Sequence, residues 1–185
     1  MPKQLLSEME RKMKAAIQDL EKDLGTLRTG RASPALLDKV MVEYYGSMVP
    51  LSQVATVSAP DPRQLLVSPW EKPLAGAIAN AIMKGDLGLQ ATKDGDAVRV
   101  SVPALNEVRR KEMVKTAAKK AEAHKVSIRN VRREANDALK KMEKEGGLTK
   151  DDLTRFEAEV QKTTDRVIAE VDRLRAAKEA DILEV

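Results

Sequence analysis

The chain contains no cysteine, which excludes disulfides, thiolate metal sites and cysteine nucleophiles. Its single histidine, His124, leaves no His-rich metal site. Aromatic residues are almost missing: Tyr44, Tyr45, Trp70 and Phe156 make up 2% of the chain. No apolar run approaches the roughly 20 residues that a membrane helix requires. The opening Met1-Pro2-Lys3-Gln4-Leu5 runs straight into a mixed charged pattern with no apolar signal core. The expectation is a cytoplasmic, reducing setting, away from membranes, rather than an organelle-imported precursor. Signatures of chemistry are missing too: no GxxxxGK[ST] phosphate loop, no GxGxxG and no HExxH. The carboxylate pairs Asp151-Asp152 and Asp94/Asp96 stand at turns or a helix start, where capping accounts for them. No Ser/Lys pairing stands out as catalytic, so the expectation is a protein that is not an enzyme and takes no cofactor or metal.

What the chain does have is charge, 34% of its 185 residues, beside 42% hydrophobic residues, ample for a core. That charge exceeds the roughly 25% of an ordinary globular chain. With so few aromatics it points to long, solvated helices rather than a β-barrel. The formal net charge of +4 is unevenly placed. Residues 105–145 carry 13 basic and 7 acidic side chains, whereas 146–185 carry 7 and 10. Residues 1–104 are close to balance, so one segment holds the basic excess. That concentration points to a directed basic face rather than to general counterion binding.

Proline and glycine divide the chain. Seven of the eight prolines fall between Pro34 and Pro103, which rules out long helices there. Residues 104–145 and 148–185 have neither Gly nor Pro, and each would span about 60 Å as a helix. Gly146-Gly147 supplies the reversal between them. Asn106 reads as the N-cap of the first long stretch, and Thr149 with Asp152 as a capping box for the second. Apolar spacing of three and four predicts three helices. The first carries Leu6, Met9, Met13, Ala16, Leu20, Leu24 and Leu27. The second carries Val114, Ala117, Ala121, His124, Ile128, Val131, Ala135, Ala138 and Met142. The third carries Leu153, Phe156, Val160, Thr163, Val167, Val171 and Leu174. A sustained 3.5-residue period predicts bundling at shallow crossing angles.

Between these helices, Lys39–Tyr45, Thr56–Ser58 ending at Pro60, Arg63–Ser68 and Ala97–Val102 read as strands. Pro73–Met83 reads as a short Ala-rich helix and Asp94-Gly95 as a turn. The fold class is therefore α+β: residues 1–29 with 106–185 form a discontinuous three-helix bundle, and 30–105 form an inserted small β/α/β domain. Two short crossings, near Thr29-Gly30 and at Pro103, Ala104, Leu105 and Asn106, predict a hinge. Tyr44 and Tyr45, adjacent in a strand, should face opposite ways, and Trp70 should pack the small domain.

The candidate binding site lies on the second long helix. Lys125, Arg129, Arg132, Arg133, Asn136 and Lys140 share one face about 100° wide at about 100° per residue. The apolar stripe is centred roughly 110° away, so this face is free for a partner. Arginine there permits bidentate phosphate contacts. A plain solvated face with Glu122–Lys125 and Arg133–Asp137 pairs stands beside that reading. No aromatic residue interleaves with the basic side chains, which argues against base stacking and for the backbone and shape of a folded RNA. Basic character alone fits DNA equally well. His124 occupies a core position and is read as a packed imidazole.

Four segments carry a resemblance. Arg28-Thr29-Gly30-Arg31-Ala32-Ser33-Pro34, Val42-Glu43-Tyr44-Tyr45-Gly46, Asp86-Leu87-Gly88-Leu89 and Arg129-Asn130-Val131-Arg132-Arg133 resemble, in order and spacing, the bacterial ribosome recycling factor family, and the likeness covers the whole chain. The resemblance implies an L-shaped, hinged molecule of tRNA-like outline that works as a monomer, in the cytoplasm, in translation termination. It implies ribosome binding between the subunits, at large-subunit rRNA, and splitting of the post-termination complex with elongation factor G and GTP. It implies that Arg129, Arg132 and Arg133 contact RNA, with Arg28 and Arg31 contributing at the elbow, and that the small domain faces elongation factor G. Gln90-Ala91 departs from the Asn-Pro usual in the family, and Glu134 replaces a common Asp. A basic helical-hairpin nucleic-acid-binding or chaperone-like module is the alternative, and an unrecognised hydrolase a remote third.

Overall fold

A computed structural model describes residues 1–29, 31–85 and 87–184. Gly30 of the expected hinge and Asp86 of the Asp86-Leu87-Gly88-Leu89 motif lie outside the described residues. The secondary structure is α+β, with long helices before and after a region of short antiparallel strands. Contacts divide the chain into two compact units: residues 1–21 with 116–179, and residues 22–115 with 180–185.

The first unit is helical. Helices α1 (Pro2–Gly25), α3 (Glu107–Lys144) and α4 (Lys150–Leu183) contribute to it. Their starts follow the caps: Arg109 N–H donates to Asn106 Oδ1 at 2.8 Å, and Asp152 N–H to Thr149 Oγ1 at 3.0 Å. Met13, Leu20, Ile128, Leu139, Val160 and Val171 are fully buried, and each such aliphatic side chain contributes about 1.5–3 kcal/mol. Cross-helix ion pairs set the register. Lys12 reaches Glu134 at 3.4 Å, Arg166 reaches Glu10 at 2.9 Å, and Lys125 reaches Asp172 at 2.5 Å. These pairings tie each helix to the other two. Exposed pairs of this kind add about 0–1 kcal/mol, so they select alignment more than they stabilise it.

The buried seams differ in detail from the apolar spacing. On α3 the structure buries Ala117, Ala121, His124, Ile128, Ala135 and Leu139, while Val131, Ala138 and Met142 are half-buried. A strict heptad drifts about 20° per repeat against a straight helix, so the seam slides from Ala138 to Leu139. On α4 the fully buried threonine is Thr164 rather than Thr163. Thr164 is tolerated there because its Oγ1 donates to the Val160 carbonyl at 2.8 Å.

The second unit holds the sheets. Strands β1 (Met41–Tyr44) and β2 (Ser47–Pro50) form a hairpin, and β3 (Ala55–Asp61), β4 (Gln64–Pro69), β5 (Gln90–Asp94) and β6 (Ala97–Ser101) form an antiparallel sheet in the order β3-β4-β6-β5. Helix α2 (Ala75–Lys84) buries Ala75, Ile78 and Ile82. Leu65 and Val67 of β4 and Val98 and Val100 of β6 alternate inward and are fully buried. Strand β3 continues through Pro60 to Asp61 rather than stopping. It is an edge strand, where a missing N–H costs no ladder bond. Strands β2 and β5 carry no strand signal in the sequence: β2 has four residues and ends in Pro50, and β5 is mostly polar and exposed.

Trp70 does not pack the small domain: it is 65% exposed, and its Nε1 donates to Thr56 Oγ1 at 3.2 Å. With Leu65 and Val67 facing in, even-numbered positions of this strand run outward. Tyr44 ends β1 and is half-buried, whereas Tyr45 begins a two-residue turn with φ 49°, followed by Gly46 at φ 82°. Those signs fit a type I′ hairpin turn. Its first position ordinarily takes Asn, Asp or Gly, so a bulky Tyr there holds backbone strain.

Candidate nucleic-acid interface

The predicted basic face stands on α3 in the helical unit, and its members fare differently. From Lys125 to Lys140 the row advances about 22 Å at 1.5 Å per residue. Lys125, at the row's N-terminal end, is withdrawn from it. Its side chain is only 14% exposed and is paired with Asp172 of α4. The expected Glu122–Lys125 pair gives way to a different one, in which Arg129 Nη1 donates to Glu122 Oε1 at 3.2 Å. Arg129 is thereby partly neutralised.

Arg132, Arg133 and Lys140 form the unneutralised remainder. Among the described residues, none of these three side chains makes a hydrogen bond or an ion pair, and Arg133 and Lys140 are exposed. Arg132 is half-buried, because of the six it lies nearest the apolar seam in helical angle. An arginine so placed lays its aliphatic stem on the helix surface and keeps its guanidinium in water. Asn136 is half-buried as well, and its Oδ1 is buried without a partner. Three uncompensated cations on one rigid helix can engage several phosphates with little reorganisation. No aromatic ring lies on this stretch of α3. That leaves backbone and shape as what the face can read.

The two arginines expected at the elbow belong to the second unit. Arg31 is exposed, with Nη2 3.8 Å from a Glu184 carboxylate oxygen. Arg28 has a different setting. It is 3% exposed; Nη2 donates to the Pro103 carbonyl at 2.6 Å and Nη1 to the Gly88 carbonyl at 3.3 Å, while Nε is buried with no acceptor. Burial, and secondarily the charge of Arg109, pulls its pKa below the ordinary arginine value. Arg28 thus serves as an internal clamp between the Gly88 loop and Pro103. Sequence could not distinguish a buried arginine from an exposed one, although Gly88 gives a partial signal. Its φ of +70° is open to glycine, and a Cβ there would lie 2.7 Å from Arg28 Nη1.

Of the remaining expected hinge residues, Thr29 is half-buried, Pro103 and Ala104 are exposed, Leu105 is 6% exposed, and Asn106 caps α3. His124 is a packed core residue, as read: its ring nitrogens lie 2.8 Å from the Lys120 carbonyl and 3.1 Å from Asp19 Oδ2. No helix among the described residues is long and apolar enough to cross a membrane.

Comparison with known proteins gives a consistent result. Residues 20–183 match the protein family described as ribosome recycling factor. The ribosome-recycling factor of Brevibacillus brevis is 49% identical over 185 residues, covering all of both chains. That of Carboxydothermus hydrogenoformans is 50% identical over 181 residues, 98% of each chain. A solution structure of a ribosome recycling factor aligns over 100% of this chain and 98% of that one, with TM-score 0.75 and 38% identity. A second structure, describing the Thermus thermophilus factor and the Escherichia coli elongation factor G bound to the post-termination complex, covers all of both chains with TM-score 0.67 and 48% identity.

Proposed function

The chain belongs to the ribosome recycling factor family, and on that premise we propose that it binds the post-termination ribosome through the α3 arginine face and, with elongation factor G and GTP, drives the subunits apart. The observation that carries this reading is the set of uncompensated cations at Arg132, Arg133 and Lys140 in the helical unit. Their partner is large-subunit ribosomal RNA, engaged through phosphates, with Arg129 joining once Glu122 releases it. Asn136 supplies a polar contact beside Arg132. Arg31 is an accessory contact, while Arg28 acts from inside as a clamp and Lys125 as a helix-to-helix tie. The relative described with elongation factor G on a post-termination complex supports the choice of partner.

The domain assignment follows from the same reading: a bundle of residues 1–29 and 106–185 as lever, and residues 30–105 as the part turned by the GTPase. The pivot lies at Thr29-Gly30 and Pro103–Asn106. The chain has no phosphate-loop signature, so the energy for splitting comes from the partner's GTP.

Light scattering of post-termination ribosomes mixed with the chain, elongation factor G and GTP tests the proposal. A drop in scattering that needs all three and disappears with Arg132→Glu is the expected result. A drop that survives Arg132→Glu would remove the arginine face from the mechanism. No drop with competent ribosomes would leave a basic helical binder of some other nucleic acid.

A further inference from the structure

Three of the four aromatic residues lie in the second unit; Tyr44 packs against its core, whereas Tyr45 and Trp70 are poorly explained as core. Tyr45 is 84% exposed at the tip of the β1–β2 hairpin, and Trp70 is 65% exposed. Tyr44 and Tyr45 meet edge to face, with centroids 4.5 Å apart and planes at 74°. Both hydroxyls donate to the carboxylate of Glu71, Tyr44 at 2.7 Å and Tyr45 at 3.2 Å. Fastening the hairpin to the neighbouring strand end needs only the shorter of these bonds. The Tyr45 ring adds almost no burial, yet it occupies a left-handed position, φ 49°, that Asn would fill with less strain. Strain retained in order to hold an aromatic ring in solvent is the mark of a contact surface.

The surrounding charge selects the partner. Glu71 stands next to Trp70 and accepts from both tyrosines, and the nearby Lys72 is paired with Asp96 at 3.4 Å. A carboxylate at the centre of an aromatic patch repels phosphates, which sets this surface apart from the α3 face. We propose that Tyr45, Trp70 and Glu71 form a protein-docking surface for a partner that presents an arginine or lysine within an apolar patch. The cation lies over a ring and pairs with Glu71.

This inference rests on the proposed function only for its probe, elongation factor G with GTP. The measurement is the concentration of elongation factor G that gives half-maximal ribosome splitting, with binding of each variant to the isolated large subunit measured beside it. Tyr45→Asn suits the turn and so keeps the fold; it and Trp70→Ala should each raise that concentration about tenfold, with large-subunit binding unchanged. Tyr45→Phe, which keeps the ring, should stay close to the parent. An unchanged requirement for elongation factor G in the Tyr45→Asn, Trp70→Ala double variant would overturn the proposal. So would a loss of large-subunit binding in these variants, which would make the patch a ribosome contact. Failure of the function itself would show separately, as the absence of splitting by the parent chain.

Discussion

Replacing Gly88 with alanine should damage the second unit by two separable routes, and Arg28 separates them. The first route is backbone conformation: Gly88 has φ +70°, where an L-residue loses about 1–2 kcal/mol. The second is contact. A Cβ on Gly88 would stand 2.7 Å from Arg28 Nη1, 3.7 Å from Cδ and 3.8 Å from Cζ. A surface arginine would swing aside at little cost. Arg28 is 3% exposed and held by the Pro103 and Gly88 carbonyls, so moving its head group weakens charge-assisted bonds worth about 1.5–3 kcal/mol each when well formed. The Gly88 bond, at 3.3 Å, is long, and its loss contributes about 1 kcal/mol. Gly88→Ala should therefore cost about 2–4 kcal/mol. In an Arg28→Met background, where the head group is gone, the same change should cost only the conformational part. The coupling in the double-mutant cycle is then about 1–2 kcal/mol. Trp70, the only tryptophan, lies in this unit, so urea unfolding followed by its fluorescence reports this unit, while far-ultraviolet circular dichroism reports the helices. Additive costs, with coupling under about 0.5 kcal/mol, would refute the claim that Arg28 is locked.

Arg132→Glu and Lys125→Met should part company. The first should weaken large-subunit binding by about 1–3 kcal/mol with stability unchanged within about 0.5 kcal/mol. The second should leave binding near the parent value and destabilise the helices by about 0.5–1 kcal/mol, because it removes the tie from a shielded Lys125 to Asp172. Filter binding and thermal unfolding of both variants decide this, and a reversed pattern would defeat the assignment. Binding should also fall with salt: three uncompensated cations imply a slope of roughly −2 to −3 in log affinity against log salt. A flat dependence would transfer the interface to an apolar surface. Hydrogen bonding to Glu71 raises both the Tyr44 and the Tyr45 phenol above the ordinary value, with its carboxylate charge adding to the effect. A folded pKa raised above the unfolded one means that the tether is at full strength below about pH 10. It is lost as pH rises through the folded phenol values. Tyrosinate absorbance should therefore titrate at lower pH in Glu71→Ala, and superimposable curves would show that the carboxylate does not hold the rings.

By itself, the sequence determined what short-range physics controls. The prolines confined to Pro34–Pro103 and the glycine-free and proline-free stretches on either side of Gly146-Gly147 set where long helices stand, because proline removes a backbone donor wherever it occurs. Asn106 and Thr149 announced helix starts, since a cap reaches N–H groups only two or three residues away. The angular grouping of Arg129, Arg132, Arg133, Asn136 and Lys140 on one face follows from helix geometry alone. Tertiary structure decided which of the charges are free. Lys125 and Arg133 belong to the same basic face by sequence, yet Asp172, 47 positions beyond Lys125, binds the first and leaves the second. Arg28 reads as a basic contact until Gly88 and Pro103, distant in sequence, close over it. Leu139 replaces Ala138 in the seam, and Thr164 replaces Thr163, because burial depends on the angle at which a neighbouring helix arrives, which no periodicity specifies. Strands β2 and β5 are short, and they exist because β1 and β6 lie beside them to complete their hydrogen bonds. A residue's own chemistry fixes what it can do, and the segments folded against it fix whether that capacity is used inside the protein or left for a partner.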